Sequence, residues 1–437
     1  MRLGTLPSAK SCLRITGSSH RFTTLLLLIV VGCFAASARA AAPSGFDKPQ
    51  WITTWIASPQ PLWKGDFPLP TNVPFNFWNQ TVRQAARVSV GGHSVRIQLS
   101  NDYGSTPLVI GSAHIALTGK DAGIVDGTDR SITFGGQGSI SIPPGAPVLS
   151  DPIDLKVAAL QNVSVSLYFP EPVSPSTFHW DGRQTAYIVS GNQTAKDSIK
   201  PDATMTTRVF LSAIQVDAPS KTRTVVALGD SITDGAGASM DSNARWPDFL
   251  AARLVDNHVA VLNAGISGAR LLQDKMGVNA LARFDRDVLS QPNIESVIVL
   301  LGINDISWNH MAFAPNDMPA TAQQLIAGYR QLIARAHARN MRIIGATLTP
   351  FEGALKDTLM AGYYSAEKEQ VRQAVNRWIR ESGEFDTVVD FDKLLRDPTH
   401  PTRLLAAYDS GDHLHPGDVG NKAMAAAIDS DTLFNNR

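Results

Sequence analysis

The texture of this chain changes near Pro219, and that change limits what it can fold into more than any other feature. After it, short apolar runs alternate with stretches of helical spacing. Val225–Leu228, Val259–Leu262, Val297–Leu301, Ile343–Leu348 and Thr387–Phe391 read as buried strands. Arg245–Leu254, a stretch ending near Val288, Ala322–Ala338, Glu367–Ile379 and Gly417–Ile428 carry the helical pattern. Strands that are apolar throughout, each followed by a helix, require a parallel sheet covered on both faces. The expectation is a three-layer α/β/α region over residues 219–437 with a flavodoxin-like strand order.

Before Pro219 the pattern is different. Between residues 51 and 218 short alternating runs are broken by Gly and Pro, and no segment before Lys221 has a helical period. Many short strands with frequent turns predict a β-sandwich of jelly-roll type, serving as an accessory domain. Val88–Leu99 alternates on both sides of Gly91-Gly92 and reads as a hairpin with one buried face. Trp51, Trp55, Trp63 and Trp78 read as packing residues, with a sugar-stacking platform as the alternative. His179-Trp180-Asp181 reads as a turn, with reach toward the second region as the alternative.

Residues 1–40 read as a signal peptide. Arg2, Lys10, Arg14 and Arg21 precede the apolar run Leu25–Val31, and Ala38-Arg39-Ala40 is an A-x-A cleavage site. The apolar run falls short of the roughly 20 residues that a spanning helix needs, so no stable membrane insertion is expected. Val30-Val31-Gly32-Cys33 also fits a lipoprotein box loosely, which would leave a lipid anchor at Cys33; cleavage after Ala40 is the cleaner match. The reading is therefore a secreted or periplasmic protein with a leader at 41–50. Its two cysteines, Cys12 and Cys33, both precede the cleavage site, which excludes a thiol nucleophile. With 39 basic and 39 acidic residues the chain has no electrostatic signature of nucleic-acid binding.

In an open parallel sheet, ligands sit beyond the carboxyl ends of the strands. The first strand ends in Gly229-Asp230-Ser231, the second in Asn263 through Gly268-Ala269-Arg270, and the third in Gly302-Ile303-Asn304-Asp305. Asp412-His413-Leu414-His415 precedes the last helix. A serine hydroxyl becomes a nucleophile when a base takes its proton. His415 is the best base, because Asp412 can hold its other ring nitrogen and so fix the tautomer. The N–H groups of Ser231 and Gly268 and the Asn304 amide then form a three-donor oxyanion hole.

These four blocks resemble the SGNH hydrolases, the GDSL-type esterases and lipases. The resemblance assigns Ser231, Gly268, Asn304 and His415 the four roles that name the family, with Asp412 completing the triad. It covers residues 221–437 only. Joined to the β-rich half, the chain looks like exported bacterial two-domain esterases similar to xylan-associated acetyl and aryl esterases. The resemblance implies a cofactor-free ester hydrolase working through an acyl-enzyme on a small-molecule or polysaccharide ester. The alcohol would be a carbohydrate or an aryl group and the acyl group short.

Three other readings fit parts of the same pattern. One is a lysophospholipase or thioesterase with the same chemistry, and another is a glycan-binding protein without catalysis. The third is a metal cluster of Asp409, Asp412, His413 and His415, which leaves Ser231 and Asn304 unexplained; no metal or cofactor is expected. Arg270 and Trp308 are candidate substrate-binding residues. Asp230 reads as a brace for the serine turn, Asp234 and Asp305 as local hydrogen-bonding groups, and His413 as structural.

Overall fold

A computed structural model of the chain describes residues 49–63, 65 and 67–434. The signal-peptide reading, both cysteines and most of the leader at 41–50 lie outside the described residues.

From Arg223 onward, five strands form one parallel sheet: Arg223–Gly229, Val259–Gly265, Ile294–Leu300, Arg342–Ala346 and Thr387–Val389. Numbered by chain order, their spatial order is 2-1-3-4-5, the flavodoxin-like arrangement. The alternation of apolar runs and helical stretches is therefore realised as a parallel α/β region. One detail differs. Phe391 does not extend the last strand but opens the short helix Phe391–Leu395, capped by Asp390, whose side chain accepts from Lys393 N–H.

Residues 50–218 are built of antiparallel sheets, and no helix precedes Ser231 among the described residues. A five-stranded sheet places Leu211–Ala218 between Gln50–Ile56 and Gly92–Ser100, with Ile153–Val157 and Pro147–Leu149 on the latter. A six-stranded sheet places Gln80–Arg87 between Ala186–Ser190 and Asn162–Phe169. Side chains from both sheets, Ile97 and Ile214 with Val82 and Val165, share one apolar core.

The expected hairpin around Gly91-Gly92 does not form. Gln80–Arg87 and Gly92–Ser100 lie in different sheets, and Val88–Gly91 carries the chain across between them. The glycines serve close approach instead of a tight turn. A Cβ on Gly91 would lie 2.4 Å from the Val157 carbonyl oxygen, and one on Gly92 would lie 2.6 Å from Asp217 Oδ1. Alternation reports that a strand has one buried face; it does not report which strand it pairs with.

The two halves interlock. Ala260, from the second strand of the parallel sheet, is buried in the core of the antiparallel half, while Ile56 and Ala213 belong to the core of the α/β half. Val261 N–H donates to Ser89 Oγ at 3.2 Å, and Gln60 Nε2 donates to the Met276 carbonyl at 2.5 Å.

Candidate active site

The first strand ends at Gly229, and Asp230 caps the short helix Ser231–Asp234 by accepting from Ile232 N–H at 3.0 Å. Gly235, at φ 111°, closes the helix in a conformation that suits glycine. Ser231 is thereby held at the carboxyl edge of the sheet. His415 Nε2 lies 2.7 Å from Ser231 Oγ, and His415 Nδ1 lies 2.6 Å from Asp412 Oδ2. The imidazole with its proton on Nδ1 donates to Asp412 and accepts from the serine hydroxyl, which is the arrangement a general base needs. Asp412 Oδ1 accepts from the backbone N–H groups of Leu414 and His415, at 2.9 and 2.8 Å. Burial opposes ionisation of Asp412. The hydrogen bond and charge of His415, with the two N–H groups, nevertheless hold its carboxyl well below the usual carboxylate range.

Gly268 lines the same cleft as Ser231; it takes φ 74°, and a Cβ there would lie 2.4 Å from Met276 Sδ and 2.8 Å from the Trp308 ring. Only glycine fits. The N–H groups of Ser231 and Gly268 have no protein acceptor among the described residues. Asn304 Nδ2 donates to the Ala269 carbonyl at 2.9 Å, which leaves its second amide hydrogen for the cleft. Tyr363 O–H donates to Asn304 Oδ1 at 2.7 Å and fixes which way the amide faces. Tyr363 escaped the sequence reading because a lone tyrosine outside the strand ends carries no local signal. Asp305 accepts from Leu271 and Leu272 N–H at 2.7 and 2.9 Å and so ties down the loop that follows Gly268.

Burial pushes the Asp230 carboxyl up to about 7, against the Ile232 N–H and the charge of His415, which pull it down. Burial likewise pushes Asp305 up to about 6, opposed by the two N–H groups it accepts from. Asp230 Oδ2 is buried without a hydrogen-bond partner. A protonated carboxyl suits that position better than a carboxylate.

Ser231, Gly268, Asn304, Asp412 and His415 all line one cleft of about 420 Å³. Its walls are mostly apolar, with Met276, Trp308, Phe313, Leu359, Met360 and Leu414 among them. A larger groove of about 600 Å³, lined by Gln98, Tyr103, Gln215 and Arg286 among others, contains none of the residues selected from sequence.

The remaining candidates divide. Trp308 lines the cleft. Arg270 does not: it is 3% exposed, bonded to Asp317 Oδ2 and to the Asp274 carbonyl, each at 2.5 Å. It braces the loop after Gly268. His413 Nδ1 lies 2.6 Å from Asp409 Oδ2, so each histidine of the His413-x-His415 pair has its own carboxylate. The tryptophans form no platform. Trp55 is buried under Arg208, Trp51 lies beneath Arg96, Trp63 packs against Phe67, Phe178 and Trp180, and Trp78 is exposed alone.

The segment His179-Trp180-Asp181 reaches the second half after all. Trp180 and Asp181 line the cleft beside Leu69, and His179 meets Asp234. In a lone three-residue segment, nothing local distinguishes that reach from a surface turn. Burial and the charge of Asp234 push Asp181 up, while His179 and Arg245 overcome burial and hold Asp234 down.

Residues 225–428 match the family described as GDSL-like Lipase/Acylhydrolase. This part of the chain is a carboxylic ester hydrolase. The match spans the serine turn, the Gly268 loop, Asn304 and the Asp412/His415 pair, and it excludes the antiparallel half. No curated protein matches the chain. Among solved structures, a GDSL-like lipase from Bacteroides thetaiotaomicron aligns at 20% identity and TM-score 0.36, covering 48% of this chain and 87% of that one. Est24, a carbohydrate acetylesterase from Sinorhizobium meliloti, aligns at 18% identity and TM-score 0.37, covering 47% and 96%. The acetyl xylan esterase AlAXEase aligns at 20% identity and TM-score 0.34, covering 47% and 97%.

Proposed function

We propose that the chain is an exported serine esterase in which Ser231 attacks the ester carbonyl, His415 is the base and Asp412 its partner. The observation that carries this reading is the unbroken line of short hydrogen bonds from Asp412 through His415 to Ser231, at 2.6 and 2.7 Å. As Ser231 Oγ bonds to the carbonyl carbon, its proton passes to His415 Nε2, and the carbonyl oxygen takes the negative charge. The N–H groups of Ser231 and Gly268 and the free amide hydrogen of Asn304 receive that charge. His415 then gives the proton to the departing alcohol, leaving an acyl-serine. Water, deprotonated by His415 in its turn, attacks the acyl-serine, and collapse returns the serine hydroxyl and the carboxylic acid.

For the substrate, we favour short acyl or aryl esters, including those on carbohydrates. Trp180 and Asp181 add an aromatic ring and a carboxyl to an otherwise apolar wall. That mixture suits an alcohol with an apolar face and free hydroxyls. The apolar lining also favours a second reading, a lipolytic enzyme acting on longer acyl chains. We read the antiparallel half, about residues 51–218, as a β-sandwich joined to the hydrolase near Pro219, in a two-domain subgroup similar to xylan-associated esterases.

Replacing Ser231 with Ala is expected to lower p-nitrophenyl acetate hydrolysis by about 10³-fold or more while the far-UV spectrum stays unchanged. Activity retained by Ser231→Ala would exclude the mechanism. Release of acetate from acetylated xylan in excess of fatty acid from lysophospholipid would favour the carbohydrate reading, and the reverse order the lipolytic one.

A further inference from the structure

A second line of hydrogen bonds runs into the same site from the antiparallel half. His179 closes the strand Thr177–His179 and is 5% exposed. Its Nδ1 lies 3.1 Å from the Ser58 carbonyl oxygen, to which it can only donate. Its Nε2 lies 2.9 Å from Asp234 Oδ1. Asp234 is the last residue of the helix that begins with Ser231, and it is 1% exposed. Its other oxygen, Oδ2, accepts from Ser267 N–H at 2.8 Å and from Ser267 Oγ–H at 2.9 Å. Ser267 directly precedes Gly268. Asp234 thus ties the end of the nucleophile helix to the loop that carries the Gly268 N–H, and His179 fixes the rotamer in which it does so.

Resting on the serine-esterase reading above, we propose that His179 is a positioning residue for the oxyanion side of the site. Through Asp234 and Ser267 it sets the direction of the Gly268 N–H relative to Ser231. The antiparallel half therefore supplies part of the catalytic geometry, beyond lining the cleft with Leu69, Trp180 and Asp181. The physical reason for a separate fixing group lies in the loop itself. Gly268 sits at φ 74°, and the N–H of the next residue, Ala269, closes a turn back to the Ile266 carbonyl at 2.9 Å. Such a turn leaves the 267–268 peptide plane free to tilt unless Ser267 is held. A donor that drifts matters little to ester binding, whose carbonyl is uncharged. It matters greatly once the oxyanion forms, because stabilisation depends on donors already aimed. Loss of His179 should therefore fall on kcat and spare KM.

The test uses the full-length protein, with kcat and KM measured separately for p-nitrophenyl acetate. His179→Phe keeps an aromatic ring and removes both hydrogen bonds; the expected result is a fall in kcat of about 10–100-fold with KM within about twofold. His179→Gln restores one N–H donor toward Asp234 and is expected to recover most of the loss. An unchanged kcat in His179→Phe, or a loss that His179→Gln shares in full, would overturn the proposal. If His179→Phe fails to fold, Ser267→Ala takes its place, since it removes only the Oγ bond at the far end of the line. That variant must lower kcat without raising KM, and an unchanged kcat would count against the proposal equally. The esterase reading is tested separately by Ser231→Ala: an inactive Ser231→Ala beside a fully active His179→Phe removes only the role of His179.

Discussion

At the scale of single residues, the site depends on groups that hold the reacting ones in place. Asn304 is the clearest case, because its amide can serve the oxyanion only while its oxygen faces Tyr363. Asn304→Ala removes a donor outright and should cost about 10²–10³ in kcat. Tyr363→Phe leaves the donor but frees its orientation and should cost less, about tenfold. Steady-state kinetics of the two variants should preserve that order. Asp230 gives a prediction in pH. Burial raises its carboxyl to about 7 in the folded protein, whereas the unfolded chain ionises it at the usual carboxylate value of about 4. Between those values the folded state holds the extra proton, so this group's contribution is full below about 4 and is lost as pH rises through about 7. Asp230→Asn cannot ionise and can still cap Ile232 through its oxygen. Its melting temperature should decline less than that of the parent between pH 4 and pH 7, as read by calorimetry across that range.

At the scale of elements, the revealing segment is the crossing at Val88–Gly92. The alternation through Val95, Ile97 and Leu99 was legible in sequence as a half-buried strand, because a period of two follows from backbone geometry alone. The partner was not legible. Gly92–Ser100 pairs with Leu211–Ala218, more than a hundred residues onward. Pairing at that separation is decided by the shape of the whole core. Gly91 is small because the Val157 carbonyl passes beside it. Gly91→Ala should therefore destabilise the protein by about 1–3 kcal/mol. At Gly138 a Cβ would meet nothing within 4 Å, so Gly138→Ala should be nearly neutral. Denaturant midpoints of the two variants would separate these expectations.

At the scale of the molecule, the two halves share side chains across their boundary, and the cleft that holds Ser231 and His415 draws wall residues from both. Removing residues 41–218 would uncover Ala260, leave the Val261 N–H without Ser89, leave the Met276 carbonyl without Gln60, and leave Asp234 without His179. Exposed apolar surface and backbone groups left without their partners both disfavour the isolated half. The truncated chain is expected to be insoluble or to lose cooperative thermal unfolding. A soluble, fully active truncation would show that the halves are independent.

The parallel α/β region, the β-rich region before it and the residues that gather at the sheet's carboxyl edge are legible from local pattern. Each follows from local physics: the 3.6 and 2.0 periodicities, the short serine turn, and the three-residue separation of Asp412 and His415. Only the folded chain shows which strands pair across the antiparallel half, that Arg270 bonds Asp317 and the Asp274 carbonyl, and that Tyr363 meets Asn304 and His179 meets Asp234. Those outcomes join groups distant in the chain, such as Tyr363 with Asn304 and His179 with Asp234. Hydrogen bonds of that kind exist only once packing has brought their partners together. Ser231 could therefore be found from its own strand end, while the bonds of Tyr363 to Asn304 and of His179 to Asp234 could be found only in the fold.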